Sequence, residues 1–64
     1  MHVNGEPYSY RPGLTLHALL DELAVKRDLV VVMHGDEIYR VGKVPDVPVA
    51  ERDVIEIVTM SQGG

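Results

Sequence analysis

The apolar positions of this chain change period as they run from one end to the other. Leu16, Leu19, Leu20 and Leu23 recur at i, i+3, i+4 and i+7, the stripe of an amphipathic helix. Thr15 stands just before the stripe, and its hydroxyl suits it to cap an orphan backbone N–H. His17, Asp21 and Glu22 fall on the other side, and Lys26 and Arg27 come at the end, where cations complement the helix dipole. The pattern predicts a helix of about ten residues, too short to stand on propensity and therefore dependent on packing. Asp21, Glu22 and Asp28 read as a solvated acidic face.

On either side of the helix the period is that of strands. Met1 to Val3 is a short apolar segment that ends at Asn4-Gly5, the dipeptide whose positive φ suits a tight hairpin turn. A return strand is expected over Glu6 to Tyr10, with Tyr8 and Tyr10 on one face and Pro7 marking it as a sheet edge. Arg11-Pro12-Gly13 then turns the chain. Beyond the helix, Leu29-Val30-Val31-Val32-Met33 is a continuous, β-branched run that predicts an inner strand. Gly35-Asp36 breaks it, and Ile38-Tyr39-Arg40-Val41 predicts a short return strand. Residues 42–50, with Gly42, Pro45 and Pro48 between valines, predict an irregular crossing that tucks some valines inward. Glu51-Arg52-Asp53 turns once more, and Val54 to Met60 is the last strand.

Alternation along that last strand sets its two faces. Ile55 and Ile57 share one, and Val54, Glu56, Val58 and Met60 share the other. Burying the unpaired Glu56 carboxylate would be costly, so the isoleucines are expected to meet the helix leucines. Val58 and Met60 then lie on the open face as a candidate docking patch, the plainer alternative being scattered surface apolar residues. A hairpin, one helix and further strands give an α+β domain: a mixed sheet of four to five strands on one main helix. That element order matches the β-grasp, or ubiquitin-like, fold. Residues 1–60 are expected to form the domain and residues 61–64 a flexible C-terminal tail.

With 64 residues there is room for one thin core and little for a catalytic cleft. Apolar residues are 45% and charged residues 25% of the chain, as in ordinary globular proteins. A net charge of −4 with no basic cluster argues against nucleic acid as a partner. There is no cysteine, so disulfide, thiolate and cysteine-ligated metal chemistry are excluded. His2, His17 and His34 are far apart on three elements, with no carboxylate at a ligand spacing, so no metal site is expected and surface histidines are the default. No apolar run suits a membrane helix and no leader pattern opens the chain, so a cytoplasmic location with no membrane partner is expected.

The candidate chemistry lies at the C-terminus, Ser61-Gln62-Gly63-Gly64. Two glycines end a chain by chance in roughly one case in 200. Lacking Cβ atoms, such an end can thread a narrow channel in another protein. Its carboxylate is a poor electrophile until an enzyme turns it into an acyl-adenylate with ATP, after which a sulfur nucleophile can displace AMP and leave a thiocarboxylate on Gly64. The tail should be disordered until bound.

Several segments carry a resemblance: Val3-Asn4-Gly5-Glu6, Thr15-Leu16 with Leu19-Leu20 and Leu23, and Val30-Val31-Val32. They continue with Val44-Pro45-Asp46, Asp53-Val54-Ile55-Glu56-Ile57-Val58 and Gly63-Gly64. In this order, over nearly the whole chain, they resemble the ThiS family, the sulfur carriers of thiamine thiazole biosynthesis. The resemblance implies a carrier rather than an enzyme, with no catalytic side chain and no permanently bound cofactor; ATP is used by the partner. It implies adenylation and thiocarboxylation at Gly64 by a ThiF-like adenylating enzyme, a sulfur donor protein, and delivery to a ThiG-like thiazole synthase. Gly63, Gln62 and Ser61 would enter the partner's channel. Relatives often carry an acidic-Gly-Asp turn where this chain has Glu51-Arg52-Asp53, which leaves the turn type open. Sulfur carriers for tRNA 2-thiolation or molybdopterin synthesis share the same terminal chemistry. A β-grasp interaction module with an incidental Gly-Gly is the alternative from another class.

Overall fold

In a computed structural model, residues 1–59 are described. The elements are β1 (His2–Val3), β2 (Glu6–Pro7), α1 (Leu16–Glu22), a 3₁₀ turn at Arg27–Leu29, β3 (Val30–His34), β4 (Glu37–Tyr39) and β5 (Val54–Thr59). The strands form one sheet in the order β2-β1-β5-β3-β4. β1 and β5 are parallel neighbours, and β5 and β3 are antiparallel. This mixed sheet with one helix is the expected β-grasp arrangement.

The core lies between the sheet and α1. Leu16, Leu19, Leu20, Val30, Val32 and Ile55 are buried, with Leu14 and Val49 from the flanking segments and Val3 from β1. Each such side chain contributes about 1.5–3 kcal/mol relative to exposure. Leu23 and Ile57 pack against this cluster half-buried, so the leucine stripe and the isoleucine face meet as their periods require. The 42–50 crossing also does what its valines imply. Val49 N–H donates to Leu14 O and Leu16 N–H to Val47 O, which lays the segment along the start of α1.

Thr15 caps the helix, its Oγ1 accepting from Ala18 N–H at 3.3 Å. The far end corrects the expected length of about ten residues. α1 has seven residues, because Leu23 ends it and Ala24 takes φ +58°. Val25 N–H donates to Leu20 O and Ala24 N–H to Asp21 O, the paired bonds of a Schellman stop. Lys26 and Arg27 therefore lie beyond the helix and not in its last turn, which has no basic residue. A left-handed alanine has no mark in a leucine periodicity.

Other boundaries also move. The β2 ladder stops at Pro7, short of the expected Tyr10; Tyr8 N–H still donates to Met1 O, after which Tyr8 and Tyr10 pack half-buried against the core. β3 starts at Val30, leaving Leu29 in the 3₁₀ turn, and β4 ends at Tyr39, before Val41. The Asn4-Gly5 turn is as expected, with φ +52° and +82°. In the turn before β5, neither Glu51 nor Arg52 takes a positive φ, and Asp53 N–H donates to Ala50 O. That turn therefore works without glycine. Among the described residues no helix is long and apolar enough to cross a membrane.

Candidate functional site

The candidate reactive end is presented by β5. This strand is central, paired to β1 on one side and to β3 on the other up to Val30–Thr59. Thr59 is the last described residue, so Met60 and the tail residues Ser61, Gln62, Gly63 and Gly64 lie outside the described residues. The segment that leads to them is bonded into the middle of the sheet. Where β1 runs out, Asn4 prolongs its ladder: Asn4 N–H donates to Ile55 O, and the Asn4 Oδ1 accepts from Ile57 N–H at 2.7 Å. Asn4 is therefore both a turn residue and a strut for the strand that carries the terminus.

The register of the sheet assembles an apolar open face opposite α1. Val58 is paired with Val31, Glu56 with Met33, and Met33 in turn with Ile38. Paired residues share a face, so Val58, Val31, Met33 and Ile38 form a continuous strip across three strands, with Val54 further down β5. Val58, Val54 and Ile38 are exposed, and Val31 and Met33 are half-buried. The 42–50 crossing packs against the start of α1, on the other side of the sheet. Sequence alternation marked Val58. Val31, Met33 and Ile38 were missed because cross-strand register cannot be read from single strands.

On the helix side, Val3, Asn4, Glu6, Tyr8, Leu23, Val25, Ile57 and Thr59 line a cleft of about 390 Å³. Its rim is fixed by a polar cluster that revises the picture of a freely solvated acidic face. Glu22 accepts hydrogen bonds from the Tyr8 hydroxyl, at 2.6 Å, and from the Arg11 guanidinium. The Arg11 bond, and then the Tyr8 bond, hold the Glu22 carboxyl below its usual range, while the bond to Glu22 pushes the Tyr8 phenol up. Asp21 meets Arg27 at 3.4 Å, and Asp28 lies in the 3₁₀ turn.

The histidines also depart from the expected surface default. His2 is exposed, but His17 and His34 are half-buried and each meets a carboxylate distant in sequence. His34 Nε2 is 2.6 Å from Asp53 Oδ2, which also accepts from Ala50 N–H at 2.8 Å. Partial burial raises the Asp53 carboxyl, but the His34 and Ala50 bonds outweigh it and leave the net shift downward. His17 Nε2 lies 2.7 Å from Val44 O and donates to it, and Asp46 accepts from His17 N–H. The Thr15 hydroxyl, first, holds the Asp46 carboxyl low. These pairs tie the 42–53 segment to α1 and β3. Among the described residues, no group of three or more histidine and carboxylate side chains is placed to hold a metal ion.

What this geometry offers is a rigid frame, an apolar face and a central strand that runs to Thr59, the last described residue before the tail. The family model of the ThiS family matches residues 1–64. A relative from Thermus thermophilus, the sulfur carrier protein ThiS, is 41% identical over 64 residues, covering 97% of this chain and 95% of that protein. The full-length match to the family model and this degree of identity place the chain in the ThiS family.

Proposed function

We propose that this protein is a sulfur carrier that works through the carboxylate of Gly64. The carboxylate attacks the α-phosphorus of ATP in a ThiF-like adenylating enzyme, releasing pyrophosphate and forming an acyl-adenylate. Hydrosulfide, released by a sulfur donor protein, then attacks the acyl carbon and AMP leaves, so that Gly64 ends as a thiocarboxylate. A ThiG-like thiazole synthase takes the sulfur for the thiazole of thiamine. The carrier supplies no catalytic side chain, and ATP is the partner's substrate rather than a resident cofactor.

The observation that supports this reading best is the position of β5. A strand bonded on both sides leads to Gly63-Gly64, while its open face presents Val58 beside Val31, Met33 and Ile38. A partner that docks on this strip holds the chain by its rigid body and receives the terminus in a fixed direction. Side-chain-free residues at Gly63 and Gly64 let the partner's backbone approach the reacting carbon closely.

Intact-protein mass tests the reading. Incubation with ATP, a ThiF-like enzyme and a sulfur source should add the difference between one sulfur and one oxygen, and removal of Gly64 should abolish the gain. Absence of the gain with every adenylating partner would overturn the carrier role. Transfer from the thiocarboxylated protein to a tRNA-thiolation or molybdopterin system, but not to a thiazole synthase, would keep the carrier role and change the acceptor.

A further inference from the structure

The outer edge of the sheet at β4 presents a self-complementary row of groups. Gly35-Asp36 closes the β3–β4 hairpin in two residues, with His34 opposite Glu37. In such a hairpin the closing pair is hydrogen-bonded, and bonded and non-bonded pairs alternate from it. His34–Glu37 and Val32–Tyr39 are then the bonded pairs, and Met33–Ile38 is the non-bonded one. The amide and carbonyl of Ile38 consequently point away from β3. Among the described residues no strand lies beyond β4 in the sheet. The Ile38 side chain, at 66%, is the most exposed of the large hydrophobics among the described residues.

Edge strands are normally guarded by charge, and β4 has charges close to it. Their arrangement does not guard against a second copy. Asp36 stands two residues before Ile38 and Arg40 two residues after it, and both are exposed. Antiparallel pairing of two such edges about a two-fold axis at Ile38 brings Asp36 of each copy opposite Arg40 of the other. The same axis sets the outward amide of each Ile38 against the other's carbonyl and puts the two isoleucine side chains side by side. The opposite edge differs: β2 has two paired residues, and one of them is Pro7, which cannot donate.

We propose that β4 is a self-association edge, at which two copies of this chain pair antiparallel about Ile38 through two reciprocal backbone hydrogen bonds and two Asp36–Arg40 ion pairs. The contact is short, because the chain turns away after Arg40, whose carbonyl accepts from Lys43 N–H at 2.9 Å. It falls well below the roughly 1,200–2,000 Å² of a standard stable interface. The dimer is therefore weak, salt-sensitive and evident at high concentration. It joins the apolar open faces of the two copies at Ile38. β3 separates β4 from β5, so pairing at this edge leaves β5 uncovered and shares with the proposed partner strip only its outer residue, Ile38.

Sedimentation equilibrium at low salt, up to about 1 mM protein, should show a reversible monomer–dimer equilibrium. Asp36→Arg and Arg40→Asp each turn both ion pairs into like-charge contacts and should weaken association by about tenfold. Mixing these two variants should restore it, since opposite charges then meet at both ends, and the double variant D36R/R40D should self-associate like the parent. Matching far-UV circular dichroism of all variants separates this pattern from misfolding. In amide NMR spectra, the Ile38 N–H should shift with protein concentration. A monomer throughout the range, single variants that associate as the parent does, or a mixture no tighter than the single variants would each overturn the proposal.

Discussion

Asn4 offers the sharpest test of how β5 is held in the sheet. Its side chain does two separable things. It tolerates φ +52° in the hairpin turn, and its Oδ1 closes the β5 ladder at Ile57 N–H. Asn4→Gly keeps the turn and removes the acceptor. The lost hydrogen bond costs about 1 kcal/mol, and the freer unfolded chain adds roughly 0.5 kcal/mol. Asn4→Ala loses the bond and must also force a Cβ into the left-handed region, at about 1–2 kcal/mol more. The expected order is parent, then Asn4→Gly lower by about 1.5 kcal/mol, then Asn4→Ala lower by about 2–3 kcal/mol. A domain of this size has a total stability of roughly 3–10 kcal/mol, so both steps are measurable. Urea unfolding gives the energies, and in thermal melts 1 kcal/mol corresponds to a shift of about 4–8 °C. Amide exchange at Ile57 locates the effect: protection there should fall in both variants relative to Val31 in β3. Asn4→Gly with parental stability and unchanged Ile57 exchange would refute the strut, and the two variants matching each other would refute the turn strain.

Three further outcomes are expected. Ala24→Gly relieves a left-handed alanine at the end of α1 and should raise stability by about 0.5–1 kcal/mol in the same urea assay, after the entropy of the new glycine is subtracted. Asp53 and Asp46 have carboxyls held low in the folded chain, so their contribution is present above the unfolded carboxylate range and is lost as pH falls through their folded values. Thermal melts between about pH 6 and pH 2 should show the parent losing stability on acidification, and Asp53→Asn should be less stable at neutral pH and show a shallower acid loss. Val58→Asp places a charge on the exposed strip without entering the core, so it should cost only about 1–2 kcal/mol in strand propensity and pairing with Val31, leaving the domain folded, while adenylation by a ThiF-like partner slows at least tenfold, read as pyrophosphate release.

Some features of this protein follow from its sequence alone because they depend on near neighbours along the chain. The leucine stripe at Leu16, Leu19, Leu20 and Leu23 and the alternation of Ile55 and Ile57 against Val54, Glu56 and Val58 are local periods, and both found their expected faces. Asn4-Gly5 and Thr15 are likewise local chemistry, a positive φ and a cap within three residues. The terminal Gly63-Gly64 is legible for the same reason, and with the spaced segments before it carries the family resemblance. Other features needed the tertiary structure because they join residues far apart in sequence. Glu22 looked solvated until Tyr8 and Arg11 arrived beside it, and His34 looked like a surface residue until the turn before β5 brought Asp53 to it. The strip from Val58 through Val31 and Met33 to Ile38 depends on the register between strands, which is settled by how a whole face packs against the helix. The stop of α1 at Ala24 belongs here as well: the bonds from Ala24 and Val25 and the packing of Val25 hold an alanine in a conformation it would otherwise avoid.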